Sequence, residues 1–132
     1  MAHFGQRSLD RLSTIDPRLA DVMHAAIGVY DFTIVCGHRD EAAQNEAYAC
    51  GNSKKQFPES KHNQYPSVAV DVAPWPIDWE DSLAFARLYG IIEACAAAMD
   101  VEIRWGGDWD SDGTSRDQSF MDLGHIELAN SP

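Results

Sequence analysis

His62, Asp71 and His125 are the residues of this chain whose types and settings could do chemistry. They are read first from the stretch SKHNQYPSVAVDVAPWP, residues 60–76. His62 stands in a polar turn, and Asp71 interrupts the apolar run Val-Ala-Val-Asp-Val-Ala. A carboxylate in such a run loses several kcal/mol to desolvation unless it is paired, so Asp71 must have a partner. His125 opens a short apolar segment, and Asp122 precedes it by three residues. Two imidazoles and a carboxylate make a three-donor set for zinc, with a fourth position left for water. A dication held in this way can lower the pKa of a bound water to about 7 and polarise a carbonyl. The chemistry then needs a base, and Asp122 lies close to a donor without having to be one. The same residues also suit a plain Asp71–histidine ion pair, and residue type alone leaves both readings open.

Other groups carry weaker signals. Glu127 lies two residues beyond His125, so in a strand it shares that residue's face. It reads as a partner for a donor histidine or for a cation, and less readily as a base. Asp108, Asp110, Asp112 and Gly113 form D-x-D-x-D-G, the opening of an EF-hand loop. The closing glutamate is absent, since the twelfth position is Ser119. The segment therefore reads either as a solvated acidic loop or as a looser calcium site completed by Asp117. Lys54, Lys55 and Lys61 form the one basic stretch; they are read as keeping a loop soluble, with contact to a substrate carboxylate as the alternative. Trp75, Trp79, Trp105 and Trp109 are expected in the core or in pocket walls. His3 sits near a terminus, and His24 has a structural reading within a helix.

The elements that must position these groups follow from pattern and punctuation. Asp16-Pro17 starts a helix, with Asp as N-cap and Pro at the first helical position. Leu19, Val22, Met23, Ala26 and Ile27 follow at helical spacing. Phe32–Gly37 reads as a buried strand, and Asp40 caps a helix from Glu41 to Ala49. The stretch Cys50–Ser60 is a polar loop. Ser67–Ala73 is a second strand, closed by a proline-rich turn that cannot continue a ladder. Asp81 to about Met99 is the longest helix. Val101–Trp105 and Gly124–Leu128 are strands, separated by a long loop. Helical crossovers between strands are few, which predicts a small α+β domain whose central antiparallel or mixed sheet is flanked by helices.

Composition limits the partners. The 132 residues suit one compact domain spanning 1–132. The net charge of -11 argues against nucleic acid, whose phosphates call for Lys and Arg. It also argues against a polybasic membrane contact. No apolar run is long enough to span a bilayer and no signal peptide is expected, so synthesis in a cytoplasm is the expectation. Cys36, Cys50 and Cys95 read as buried free thiols, and no thiolate zinc site is expected from their spacing.

Three motifs, in order along the chain, resemble those of the M15 zinc peptidases. SKHNQYPSVAVD is similar to their Ser-x-His…Ala-x-Asp motif, and DLGHIEL to their Asp/Glu-x-x-His motif. CGHRDEAAQNEAY is similar to their Gly-x-Arg segment followed by a helix with an early Gln. The resemblance implies a hedgehog/DD-peptidase-like fold. It makes His62, Asp71 and His125 the zinc ligands, Asp122 the general base and Arg39 the group that stabilises the oxyanion. Ser60 and Gln44 become weaker candidates for substrate contact. It further implies an L-alanyl-D-glutamate endopeptidase of peptidoglycan stem peptides, of the phage endolysin type. Such a protein would act as a monomer on periplasmic peptidoglycan after holin-type release from the host cytoplasm. The alternatives it leaves are a D-alanyl-D-alanine carboxypeptidase or dipeptidase, and a non-catalytic zinc domain of the same fold. Having both Arg39 and Asp122 argues against the last. One departure concerns the turn: Asp71 stands nine residues after His62, more than is common in the family. Loops absorb insertions cheaply, so the ligand assignment stands and the pocket's shape is what the excess would alter.

Overall fold

The computed structural model describes residues 2–108 and 122–129. Among the described residues four helices and four strands follow in this order: α1 (Gln6–Leu12), α2 (Pro17–Ile27), β1 (Phe32–Cys36), α3 (Glu41–Ala49), β2 (Ala69–Pro74), α4 (Ser82–Ala98), β3 (Ile103–Gly106) and β4 (Asp122–Leu128). A 3-10 turn at Lys61–Asn63 lies between α3 and β2. The strands form one sheet in the order β1-β2-β4-β3, and every neighbouring pair is antiparallel.

Local chemistry sets the helix starts. The side chains of Asp16, Asp40 and Asp81 each accept from a backbone N–H in the first turn of α2, α3 and α4. Each thereby satisfies a donor that the helix itself leaves open. Helix α4 packs on β2, β3 and β4 and also against α2. Its Leu88 and Ile92 join Val70, Val72, Ile126 and Leu128 in the core. Fully burying one such side chain contributes roughly 1.5–3 kcal/mol.

Strand alternation divides the sheet into two chemically different faces. Val70 and Val72 of β2, with Ile126 and Leu128 of β4, meet the helices. Asp71, His125 and Glu127 occupy the intervening positions and point to the opposite face. Register then brings them together: Asp71 pairs with His125, and Arg104 of β3 with Glu127. An irregularity in β1 between Ile34 and Cys36 sets Cys36 opposite Asp71.

Sequence pattern did not signal α1. It buries only Ser8 and Leu12, and it serves the edge of β1 through polar side chains. The Ile34 N–H donates to Ser8 Oγ at 3.1 Å, and Arg11 Nη1 donates to the Ile34 carbonyl at 2.8 Å. The edge strand is thus paired by side chains instead of by another strand. Cys36, Cys50 and Cys95 are free, but Cys50 is exposed and the other two are half-buried, so burial of all three is corrected. Cys50 caps the end of α3, where a small side chain can face water. Trp105 is buried and stacks on Tyr89. Trp75 and Trp79 are exposed, contrary to a core placement, because the proline-rich turn carries them off the end of β2. Trp109 lies outside the described residues.

A second irregularity matters for the site. The register between β3 and β4 shifts after Trp105, so that Gly106 pairs with Asp122. A Cβ at Gly106 would stand 2.0 Å from the Asp122 carbonyl oxygen. Gly106→Ala is expected to cost about 1–3 kcal/mol through this backbone clash, read as a lowered thermal midpoint. Gly28→Ala, whose Cβ would meet its nearest neighbour at an ordinary 3.6 Å, should change stability by less than about 0.5 kcal/mol. Equal midpoints for the two variants would refute the tight approach.

Candidate metal centre

The centre is built around Asp71. Its Oδ1 lies 3.2 Å from His62 Nε2 and 3.2 Å from His125 Nδ1. In a tetrahedral zinc site with bonds of about 2.0–2.1 Å, adjacent donor atoms stand about 3.3–3.4 Å apart. The two spacings to Asp71 therefore match the edges of such a tetrahedron, and the donor types fit a divalent metal of zinc's preferences. Two groups of donor atoms share Asp71, each with its members within 4.8 Å of one another: Asp71, Asp122 and His125, and Cys36, His62 and Asp71.

Each donor is aimed by a second contact. His62 is fully buried in the 3-10 turn. Its Nδ1–H donates to the Gly37 carbonyl at 2.7 Å, which leaves Nε2 facing Asp71. The turn is fixed by Ser60, whose Oγ accepts from the His62 N–H, and by Asn63, whose Oδ1 accepts from the Ser60 N–H. Arg39 joins the same unit: its N–H donates to the His62 carbonyl at 2.9 Å. His125 presents Nδ1 to Asp71 while its Nε2 contacts Glu127 Oε1 at 2.8 Å.

The electrostatics follow from one carboxylate between two imidazoles. Burial alone would lower the pKa of His62, but the adjacent Asp71 charge outweighs it and pushes the imidazole up to about 10. Burial would also lower His125, and hydrogen bonds to Asp71 and Glu127 turn its shift upward. Burial works to raise Asp71, yet the two histidines hold it well below the usual carboxylate range. Asp122 behaves differently. Burial raises its pKa, and the negative charge of Asp71 raises it further.

These groups line one pocket of about 370 Å³. His62, Asp71, His125, Asp122, Arg39 and Ser60 all face it. Arg39 Nε is buried and has no hydrogen-bond partner among the described residues, so it retains donor capacity. The three lysines expected to serve loop solubility, Lys54, Lys55 and Lys61, line the pocket as well.

Gln44 does not fit an expectation of substrate contact. It is fully buried; its Nε2 donates to Ser53 Oγ and to the Lys55 carbonyl, and its Oε1 accepts from Asn63. It ties α3 to the loop that follows and to the His62 turn. Sequence spacing did not signal Cys36 as a neighbour of the centre, yet it lies close to His62 and Asp71. The signal was the pairing of β1 with β2, which only the register reveals. Asp108 donates its N–H to the Trp105 carbonyl at 3.0 Å. Asp110, Asp112 and Asp117, the rest of the acidic loop, lie outside the described residues. His24 packs edge-on to Phe4, and His38 to Tyr65.

With that geometry in place, the chain's relatives can be compared. Residues 1–129 match the model of the family described as phage L-alanyl-D-glutamate peptidase. The chain belongs to this family. It is 35% identical over 133 residues to the L-alanyl-D-glutamate peptidase of Escherichia phage T5, covering 95% of this chain and 96% of that protein. Its fold is similar to the crystal structure of the Serratia marcescens L-Ala D-Glu endopeptidase ChiX, with a TM-score of 0.74 and 25% identity. That likeness covers 96% of this chain and 90% of the ChiX chain. In this family member Arg39, His62, Asp71, Asp122 and His125, drawn from the three ordered motifs, line one pocket.

Against the effect of burial, contact with Asp71 raises the pKa of His62 and of His125, so a divalent cation binding at these imidazoles would compete with protons. Loading the protein with zinc at neutral pH should release up to about two protons per ion, and apparent affinity should fall as pH is lowered. Calorimetric titration in buffers of different ionisation enthalpy measures this. Binding with no proton release would contradict the arrangement.

Proposed function

We propose that this chain is a zinc-dependent endopeptidase that cuts the L-alanyl-D-glutamate bond of peptidoglycan stem peptides, of the M15 class, and acts as a phage endolysin. The observation that carries the reading is the meeting of His62, Asp71 and His125 with Asp122 and Arg39 in one pocket of a chain from this family. His62 Nε2, Asp71 and His125 Nδ1 would hold the zinc. When bound, the ion supplies Lewis acidity and an activated water.

The remaining work falls to the chain's own side chains. Asp122 acts as the base: its raised pKa lets the carboxylate take a proton from water and give it up to the leaving amine. Arg39 stands beside it with a fixed guanidinium, suited to the negative charge that develops on the carbonyl oxygen. Ser60 fixes the turn that carries His62 and faces the pocket, where it can touch substrate. The cations around the mouth suit a stem peptide, which carries free carboxylates. The protein works as a monomeric single domain. As an endolysin it would be made in the host cytoplasm and reach periplasmic peptidoglycan after holin-type release. Among the described residues no helix is long and apolar enough to cross a membrane.

Digestion of purified Gram-negative peptidoglycan, followed by mass spectrometry of the fragments, tests the reading. New amino termini on D-glutamate and carboxyl termini on L-alanine are expected. Release of D-alanine alone would reassign the bond to the carboxypeptidase alternative, and intact peptidoglycan would leave the chain without the activity. His62→Ala should lose both metal and turnover. Asp122→Ala should keep metal and lose turnover, and unchanged turnover would take the base role from Asp122. Arg39→Ala should lower kcat by about 10²-fold or more, the scale seen when an oxyanion donor is removed.

A further inference from the structure

Glu127 is a nearly fully buried acid at the back of the pocket, and both of its oxygens are engaged. Oε1 meets His125 Nε2 at 2.8 Å, and Oε2 accepts from Arg104 Nη2 at 2.8 Å. A carboxylate engaged by a guanidinium, which is always charged, serves as an acceptor, so the hydrogen of the shared contact belongs to His125 Nε2. In the neutral ring the lone pair then resides on Nδ1, the atom that faces Asp71.

We infer that Glu127, clamped by Arg104, is a positioning residue that selects the Nδ1-donor form of His125 and fixes its ring over Asp71. This rests on the reading of His125 as a metal ligand and goes beyond it, by assigning roles to two residues that need touch neither metal nor substrate. Strand geometry makes the device local. His125 and Glu127 share one face of β4, and Arg104 stands across from Glu127 on β3. The chain of contacts thus runs along the sheet from the half-exposed Arg104 to the buried His125. Such outer partners orient a ligating histidine and raise its basicity, and their loss typically costs 10–100-fold in metal affinity. Engagement of both Glu127 oxygens also explains why Asp122, and not Glu127, is the acid left to handle a proton.

The test uses the full chain and four proteins: wild type, Glu127→Leu, Glu127→Gln and Arg104→Met. Zinc affinity is measured by competition with a chelating dye, cobalt substitution reports ligand geometry, and long-range proton–nitrogen NMR of the zinc-loaded protein reports the His125 tautomer. Wild type should show His125 protonated on Nε2. Glu127→Leu should bind zinc about 10–100-fold more weakly, with an altered cobalt spectrum. Glu127→Gln, which can still accept from Nε2–H, should fall between Glu127→Leu and wild type, and Arg104→Met should show a smaller loss. If Glu127→Leu fails to fold, the tautomer of wild type and the affinity of Glu127→Gln decide. A hydrogen on Nδ1 in the loaded wild type, or folded Glu127 variants that bind zinc within twofold of wild type, would overturn the inference alone. Wild type that takes up no zinc would overturn the metal reading itself.

Discussion

A carboxylate placed in the central part of a sheet must be compensated, and here that need organises the whole molecule. Asp71 sits in β2 among buried valines and alanines, with strands paired on both sides. The desolvation of one charge exceeds what any single hydrogen bond returns. Two imidazoles meet the demand, each 3.2 Å from the same oxygen. Those imidazoles come from different places: His62 from a turn ahead of β2, and His125 from the neighbouring strand β4. The fold has to hold a turn and two strands in register to within a fraction of an ångström for the carboxylate to be tolerated.

The parts of this arrangement that follow from period and punctuation were legible in the sequence. The three capped helices α2, α3 and α4 and all four strands fell within a few residues of their expected positions, since aspartate caps and β-branched runs are local signals. Asp71 could be read as a charge with a partner because an acid in an apolar run has no other stable explanation. Helix α1 was not legible, because its work is done by Ser8 and Arg11 hydrogen-bonding an edge strand and leaves no apolar stripe. The place of Cys36 beside Asp71 and the bonds of Gln44 were not legible for a related reason. The first depends on an irregular register between β1 and β2, and the second on a network linking α3, a loop and a turn, all of it non-local.

The long interval between His62 and Asp71 shows how a sheet tolerates surplus chain. His62 is fixed from one side by Ser60, Asn63 and the Arg39 backbone. The chain re-enters the structure at Ser67, which is fully buried and bonded to the backbone of Thr14 and Asp16. Between these anchors Gln64, Tyr65 and Pro66 lie exposed. The segment between them therefore loops outward, and Asp71 keeps its register with His125. Tyr65 packs edge-on to His38, next to Arg39, so the bulge contributes to the surface beside the pocket without touching the donors.

Charge is distributed on two scales with opposite signs. The chain carries a net charge of -11, yet five of its ten Lys and Arg residues, namely Arg39, Lys54, Lys55, Lys61 and Arg104, line the single pocket that holds Asp71, Asp122 and Glu127. At physiological ionic strength the Debye length is about 8 Å, so acids on distant surfaces are largely screened at the pocket mouth. The potential felt by an approaching group is set by what lines the pocket. Clustered carboxylates and clustered cations share this one cavity. An acidic protein can thus concentrate cationic side chains in one cavity while its charge as a whole stays negative.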